Sequence, residues 1–367
     1  MRGEQDGRTV LTLDAGGTTS TFSALRGGRE VVTPFTWPAQ AQDLDRCLDQ
    51  YVAGFQRAKA EAGGCDAISF GFPGPADYRH GIIGALANMP AFREPVPLGP
   101  LLEARFQCPV FIHNDGDLFA YGEAVGGFLP EVNAALEATG SERRHHNLIG
   151  LTLGTGFGCG LVRKGELVVG DNGAAGEIWL LRHPEMRHVF AEEGVSIRAV
   201  RRVYAELAGV AWGDVPEPKA LADIARGQGP GHREAALEAF ARLGRVAGDA
   251  LATVLTLFDG LAVLGGGLSG AADLFMPALL AELNGQLQNL EGRRFPRLEG
   301  HVHAWGDGAD RAAFLASRTV LLPVPGTGRH VPYEPVKRTA VGLTRLGTSR
   351  ATALGAWALA LDALDRG

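Results

Sequence analysis

The chain reads as an α/β protein of two domains, and three observations predict it. Its 367 residues are enough for two sizeable hydrophobic cores. Apolar runs of strand length alternate with longer stretches of helical period. One device also occurs twice. Val10–Leu25 reads VLTLDAGGTTSTFSAL, and 140 residues on, Gly150–Val162 reads GLTLGTGFGCGLV. Each copy is an apolar strand, a turn rich in Gly and Thr, and a second strand.

The elements follow in order. Val10–Asp14 and Thr19–Leu25 are paired strands. Asp43–Ala62 is a helix, because Leu44, Leu48, Tyr51, Val52 and Phe55 recur at helical spacing. Ala67–Phe72 is an apolar strand closed by the rigid loop GFPGP. Pro109–His113 is a further strand, with a helix over Leu118–Val125 directly after it. Leu148–Leu153 opens the second half. Ser196–Ala208 is a helix, and Gly231–Phe258 is a long one with Leu237, Phe240, Leu243, Val246, Leu251 and Val254 along one side. Leu261–Leu264 is a buried strand, followed by three Gly and a helix over Asp273–Leu287. Ala340–Leu343 is a late strand, and Ser349–Leu364 is a closing helix rich in Ala and Leu. Thr139–Asn147 is polar and basic and reads as a surface loop. Gly292–Val336, rich in Pro, Gly, His and Arg, reads as an irregular excursion with one strand at Thr319–Val324. The first, smaller domain is then 1–125 with the last helix, 350–367, crossing back to it. Residues 126–349 form the larger one.

Composition excludes several classes of function. A net charge of −6 offers no basic field for nucleic acid. No uninterrupted stretch approaches the roughly 18 apolar residues of a membrane span. The N-terminus lacks the charged start, apolar core and cleavage site of a leader, so a cytoplasmic location is the default expectation. Cys47, Cys65, Cys108 and Cys159 show no CxC or CxxC spacing, which argues against a structural zinc site and for buried free thiols. The 52 Gly residues suit a protein that meets its ligands with backbone.

The stretch LDAGGTTST puts Asp14 at a strand end, followed by Gly16, Gly17, Thr18 and Thr19. The glycines let backbone N–H groups approach a phosphate, and the hydroxyls can donate to it. A carboxylate such as Asp14 suits hydrated Mg²⁺. Alone, the stretch is equally a plain hairpin turn. The second copy, with Gly154, Thr155 and Gly156 at its turn, favours phosphate gripped from two sides. Neither copy matches the Walker loop or the dinucleotide fingerprint. HNDGDLFAYGEA places Asp115 straight after a strand, where a base for an attacking hydroxyl is needed. Asn114 beside it can donate to and accept from a polyol. The bland alternative is helix capping. Asp117 is the more natural cap for a helix from Leu118, which leaves Asp115 free. Glu177 in GAAGEIW, and the pair Glu192–Glu193 before Ser196, can reach sugar hydroxyls; each alone is more often a solvated surface acid. LAVLGGGLS presents Gly265, Gly266 and Gly267 after a buried strand, either as a bed for a ring or ribose or as a tight turn.

In this order and spacing the motifs resemble the ROK family of sugar kinases and repressors, over nearly the whole chain. The resemblance implies a two-domain actin-like, ribonuclease-H-like ATPase fold of the hexokinase group, with an interdomain cleft. It implies ATP and Mg²⁺ as cofactors and a small-molecule sugar as substrate. Asp115 would be the general base. Asn88 in ALANMPAF, Asn114, Glu177 and Glu192 would bind sugar hydroxyls, Glu192 because family members place an acid four residues before a Ser, here Ser196. The loops at Asp14–Thr19, Gly154–Gly156 and Gly265–Gly267 would hold the nucleotide, and Asp14 would organise Mg²⁺ through water. A homodimer is plausible from the family.

Two departures stand out. The family often places a His three residues after the Glu of its GE motif; Leu180 stands there. Its Cys-rich zinc motif is replaced by RHPEMRHVFAEEGVS, so no structural zinc is expected, and His183 and His188 read as exposed loop residues. Only eight residues precede the first strand, too few for the helix-turn-helix of a repressor. The rival reading is a catalytically silent sugar sensor without a DNA-binding domain.

Overall fold

The computed structural model describes residues 5–15, 19–74, 76–84, 86 and 89–366. In the first half the elements are β1 (Thr9–Ala15), β2 (Thr19–Arg26), β3 (Arg29–Pro38), α1 (Leu44–Ala62), β4 (Ala67–Gly71), β5 (Ala76–Asp77), β6 (Ile82–Ile83), α2 (Leu98–Phe106), β7 (Val110–His113), α3 (Asp115–Gly126) and α4 (Phe128–Ala138). In the second they are β8 (Asn147–Leu153), β9 (Phe157–Arg163), β10 (Glu166–Leu167), α5 (Ile197–Ala208), α6 (Pro218–Ala225), α7 (Arg233–Phe258), β11 (Leu261–Gly265), α8 (Ala272–Leu283), β12 (Gln286–Gln288), β13 (Arg294–Pro296), β14 (His301–Ala304), α9 (Gly308–Leu315), β15 (Val320–Pro323), β16 (His330–Tyr333), β17 (Arg338–Leu343) and α10 (Thr348–Arg366).

Among the described residues, one five-stranded sheet runs β3-β2-β1-β4-β7 and one six-stranded sheet runs β10-β9-β8-β11-β17-β14. The first five positions of the two orders correspond. In each sheet a hairpin (β1–β2, β8–β9) is antiparallel, and its first strand then pairs in parallel with β4 or β11. The repeated Gly/Thr device is therefore the visible part of a repeated topology. Each sheet's fifth strand leads to a helix, α3 or α10, and these two helices pack on each other between the sheets.

Three apolar cores follow from this arrangement. One lies on the first sheet around Phe22, Phe55 and Phe70, and one on the second around Leu151, Phe240 and Phe275. The third joins them through Phe119 of α3 and Trp357 of α10. Burying a side chain such as Phe119 is worth about 3 kcal/mol. The α3–α10 seam is close because glycines line it. A Cβ on Gly122 would lie 1.9 Å from the Ala351 carbonyl oxygen, and one on Gly355 would lie 1.9 Å from that of Leu118.

Local chemistry explains most helix boundaries. Asp43 caps α1 by accepting the Arg46 N–H, and Gly63, at φ 75°, closes it. Ser196 caps α5 through the Ala199 N–H. Three boundaries differ from the sequence expectation. The helix after β7 begins at Asp115 rather than Leu118. The helix after the three glycines stops at Leu283, and 286–288 form a strand paired with β13. The stretch 292–336 is ordered rather than irregular. It holds α9, the β15–β16 ribbon and β14, which pairs in parallel with β17 at the sheet edge. Its short strands alternate weakly because most of their residues are exposed, so the sequence carries little period to read.

Candidate active site

The site lies at the carboxyl ends of three adjacent parallel strands, where open α/β sheets receive ligands. Asp14, the next-to-last residue of β1, is in register with Gly71 of β4, and Gly71 is in register with His113 of β7. Asn114 and Asp115 follow at once. Gly71 has to be small: its Cβ would meet the Asp115 Cα at 3.2 Å.

Capping was assigned to the wrong residue by sequence. Asn114 is the N-cap of α3, its Oδ1 accepting the Gly116 N–H at 2.8 Å, and Asp117 is not. Asn114 also reaches the Tyr78 hydroxyl through Nδ2 at 3.4 Å. Asp115 Oδ1 accepts the same Gly116 N–H at 2.9 Å. Asp115 is itself exposed, while residues 116–120 behind it in α3 are buried. That environment raises the Asp115 pKa, chiefly by desolvation, with the negative charges of Asp14 and Glu177 adding to the rise. Asp117 is 6% exposed, and its Oδ1 has no hydrogen-bond partner among the described residues. Burial drives its pKa well above the usual carboxylate range, and the Glu177 and Asp115 charges push it further.

Sequence reasoning missed Tyr78 and His113. Tyr78 stacks on His113 with ring centroids 6.1 Å apart and donates to the Phe72 carbonyl at 2.9 Å. Its hydroxyl pKa is raised by burial, with Asp115, Asp117 and Glu177 contributing. Burial pushes His113 down to about 4, so its ring is neutral. Nothing in the stretch ADYRHG distinguishes Tyr78 from a surface aromatic; only the β5–β6 excursion brings it to Asn114.

From the second half, Glu177 is half-buried and accepts a hydrogen bond from Trp179 Nε1. Leu180 is 58% exposed. His188 is exposed as expected, but His183 is buried at 4%. Its Nδ1 accepts the Glu185 and Met186 N–H groups at 3.2 and 3.3 Å, which knits the 183–186 turn. Glu192 braces the second hairpin: Oε2 accepts the Phe157 N–H at 2.9 Å, and Oε1 pairs with Arg198 at 2.7 Å. Glu193 binds Arg198 and Arg202 instead.

The two phosphate-loop candidates of the second half come together. Gly154, Thr155 and Gly156 form the β8–β9 turn, with the Gly154 N–H donating to the Gly156 carbonyl at 3.0 Å. A Cβ on Gly154 would lie 3.9 Å from the Gly267 nitrogen. Gly265 ends β11. Gly266 takes φ 88°, and its N–H donates to Thr348 Oγ1 at 2.8 Å. A Cβ there would come within 2.3 Å of the Leu153 carbonyl oxygen, so only glycine fits. Thr19 is exposed at the start of β2. Gly16, Gly17, Thr18 and Asn88 lie outside the described residues.

The ROK family model matches residues 10–318. The chain is 29% identical over 322 residues to an N-acetyl-D-glucosamine kinase of Escherichia coli, covering 83% of this chain and 97% of that one. It is 31% identical over 179 residues to a glucokinase of Halalkalibacterium halodurans, a match of 47% of this chain that spans about half of the relative, 49%. It superposes on the crystal structure of a glucokinase from Parabacteroides distasonis with a TM-score of 0.87 and 49% identity, covering 99% of each chain. The chain belongs to the ROK family and has the actin-like ATPase fold of its kinases.

Proposed function

We propose that this chain transfers the γ-phosphate of ATP to a hydroxyl of a hexose or hexose derivative, with Asp115 as general base. That it is a sugar phosphotransferase rests on its glucokinase and N-acetylglucosamine kinase relatives. One observation supports the finer reading most. Asp14, Asp115 and Glu177 act on one another at one site, and the pKa of Asp115, the first residue of the helix after β7, is raised. A carboxylate of raised pKa is a better proton acceptor at the moment a hydroxyl oxygen attacks phosphorus. Asn114, Glu177 and Glu192, together with Asn88, are the sugar ligands in this reading. The glycine turns at 154–156 and 265–267, with the first hairpin, hold the nucleotide. Closure of lobes 1–125 plus 350–367 and 126–349 on the sugar would exclude water.

Asp14 fits Mg²⁺ by donor chemistry, being an exposed carboxylate at the phosphate end of β1. Bound there through water, the ion would neutralise charge on the transferring phosphate. The stretch replacing the family's zinc motif has no Cys, and His183 Nδ1 is taken by two backbone N–H groups, which supports a loop that needs no zinc. The exposed apolar ribbon of Leu321, Leu322, Val331 and Tyr333 supports a homodimer. Among the described residues no helix is long and apolar enough to cross a membrane.

The test is ADP release over a panel of glucose, mannose, N-acetylglucosamine and their deoxy analogues, with sugar binding measured separately. Turnover with one or more hexoses, reduced ~10²-fold or more in Asp115→Asn with sugar affinity kept, is the expected result. Sugar binding without ADP release from any of them would favour the silent sensor. Trp179 holds Glu177 while Leu180 turns outward, so a loose preference at one sugar position is expected, with deoxy or N-acetyl forms accepted.

A further inference from the structure

The four cysteines do not share one environment. Cys47 and Cys159 are buried, and burial raises both thiol pKa values. Cys65 and Cys108 are only half-buried, and their sulfurs lie 3.9 Å apart, in contact. The fold makes this pair. Cys65 stands just before β4 and Cys108 just before β7, which are parallel neighbours with Ile68 opposite Val110. The Ile68 N–H donates to the Pro109 carbonyl at 3.0 Å, fixing the approach of the two strand entrances.

We propose that Cys65 and Cys108 are a reversible dithiol–disulfide site, closed by hydroperoxides and opened by thiols. The Lys59 ammonium favours a thiolate in the pair, and Asp66 opposes it. The Cys65 pKa is lowered to about 7, first by the hydrogen bond from the Cys108 thiol and further by the Lys59 ammonium, against burial and Asp66. The proton held in that S–H···S contact raises Cys108 in turn. In this proposal Cys65 attacks as the thiolate and Cys108 resolves.

The chemistry balances in two steps. The Cys65 thiolate attacks one oxygen of the hydroperoxide, the O–O bond breaks, and the departing oxygen takes a proton to leave as water or an alcohol. Cys65 is then a sulfenic acid. The Cys108 sulfur attacks Cys65 Sγ, the S–O bond breaks, and hydroxide leaves with the Cys108 proton as water. Two thiols lose two electrons and two protons, and the hydroperoxide gains them. Closure needs the sulfurs to approach from 3.9 Å to about 2.05 Å. Both lie just outside the strands, where side-chain rotation can supply that shift. The bond would brace β4 and β7 at the ends opposite Gly71 and Asp115.

Titrating the whole protein with hydrogen peroxide and counting thiols after denaturation tests this. Two of the four thiols should be lost, with an intact mass about 2 Da lower. A peptide joining Cys65 to Cys108 should appear within a single chain, and dithiothreitol should restore all four thiols. Cys108→Ser should stop at a sulfenic acid on Cys65 that dimedone traps, and Cys65→Ser should remove the fast oxidation. The oxidised form should melt at a higher temperature, because the loop closed in the unfolded chain is long. Four thiols persisting under peroxide would overturn the proposal. So would cross-links only between chains, or oxidation of Cys47 or Cys159 ahead of the pair.

Discussion

Replacing Gly355 by Ala tests the seam that carries the proposed base, Asp115. The new Cβ would sit 1.9 Å from the Leu118 carbonyl oxygen and 2.9 Å from the Gly122 nitrogen. Ordinary contact starts at 3.4 Å, so α10 and α3 must part locally by about 1.5 Å. The obstacle is backbone and cannot rotate away. Overpacking of this kind costs ~1–3 kcal/mol, and a backbone clash belongs at the upper end. Parting the helices also loosens Phe119 and Trp357, because a gap of ~0.5–1 Å forfeits a quarter to a half of each dispersion contact. Better helix propensity returns about 1 kcal/mol. The net expectation is a loss of ~2 kcal/mol, read as a lower urea midpoint. Asp115 lies in the first turn of α3, so the shift also reaches the site. A misplacement of ~1 Å costs ~10²-fold in kcat. Gly213→Ala is the control, since a Cβ there meets nothing within 4 Å. Wild-type stability and turnover in Gly355→Ala would refute the reasoning.

Three further outcomes are expected. The acid limb of kcat/KM should lie above the usual carboxylate range, because the proposed base, Asp115, acts in its ionised form and its pKa is raised. Glu177→Gln removes one like charge, so the limb should move to lower pH; a limb that stays, or moves up, contradicts that source of the shift. Asp117→Asn should stabilise the fold at pH 7. A carboxyl whose folded pKa exceeds its unfolded value of about 3.9 destabilises the fold as pH rises past that value. The gain in urea midpoint should therefore vanish near pH 3 and grow upward from there. Glu192→Gln weakens the acceptor for the Phe157 N–H and the pair with Arg198. A larger rise in KM for ATP than for sugar would make Glu192 a brace of the phosphate turn, whereas the reverse would support direct contact with sugar.

Much of the fold was legible because its signals are local. The strand of TVLTLDA, the apolar period of α7 and the helix over Asp43–Ala62 each lie within one stretch of chain, and the structure has them within a residue or two. The α3 start was misjudged because Asn114, Asp115 and Asp117 are all chemically able to cap. Which one does so depends on where β7 delivers the chain. The excursion at 292–336 was misjudged because β14 owes its existence to pairing with β17, not to its own pattern.

The same division runs through the site. Residue types and order alone put a Gly/Thr stretch in each half and Asp115 soon after a strand, the pattern expected of phosphate loops and of a base for an attacking hydroxyl. Only tertiary structure decided the electrostatics and the partners. Asp115, though exposed, is raised because desolvation by its surroundings and the charges of Asp14 and Glu177, from β1 and from a loop of the second half, act on it together. Tyr78 reaches Asn114, Glu192 is drawn to the Phe157 N–H, and Cys65 touches Cys108 across 43 residues of sequence. Desolvation and Coulomb forces depend on distance through space, and a linear sequence records distance only along the chain.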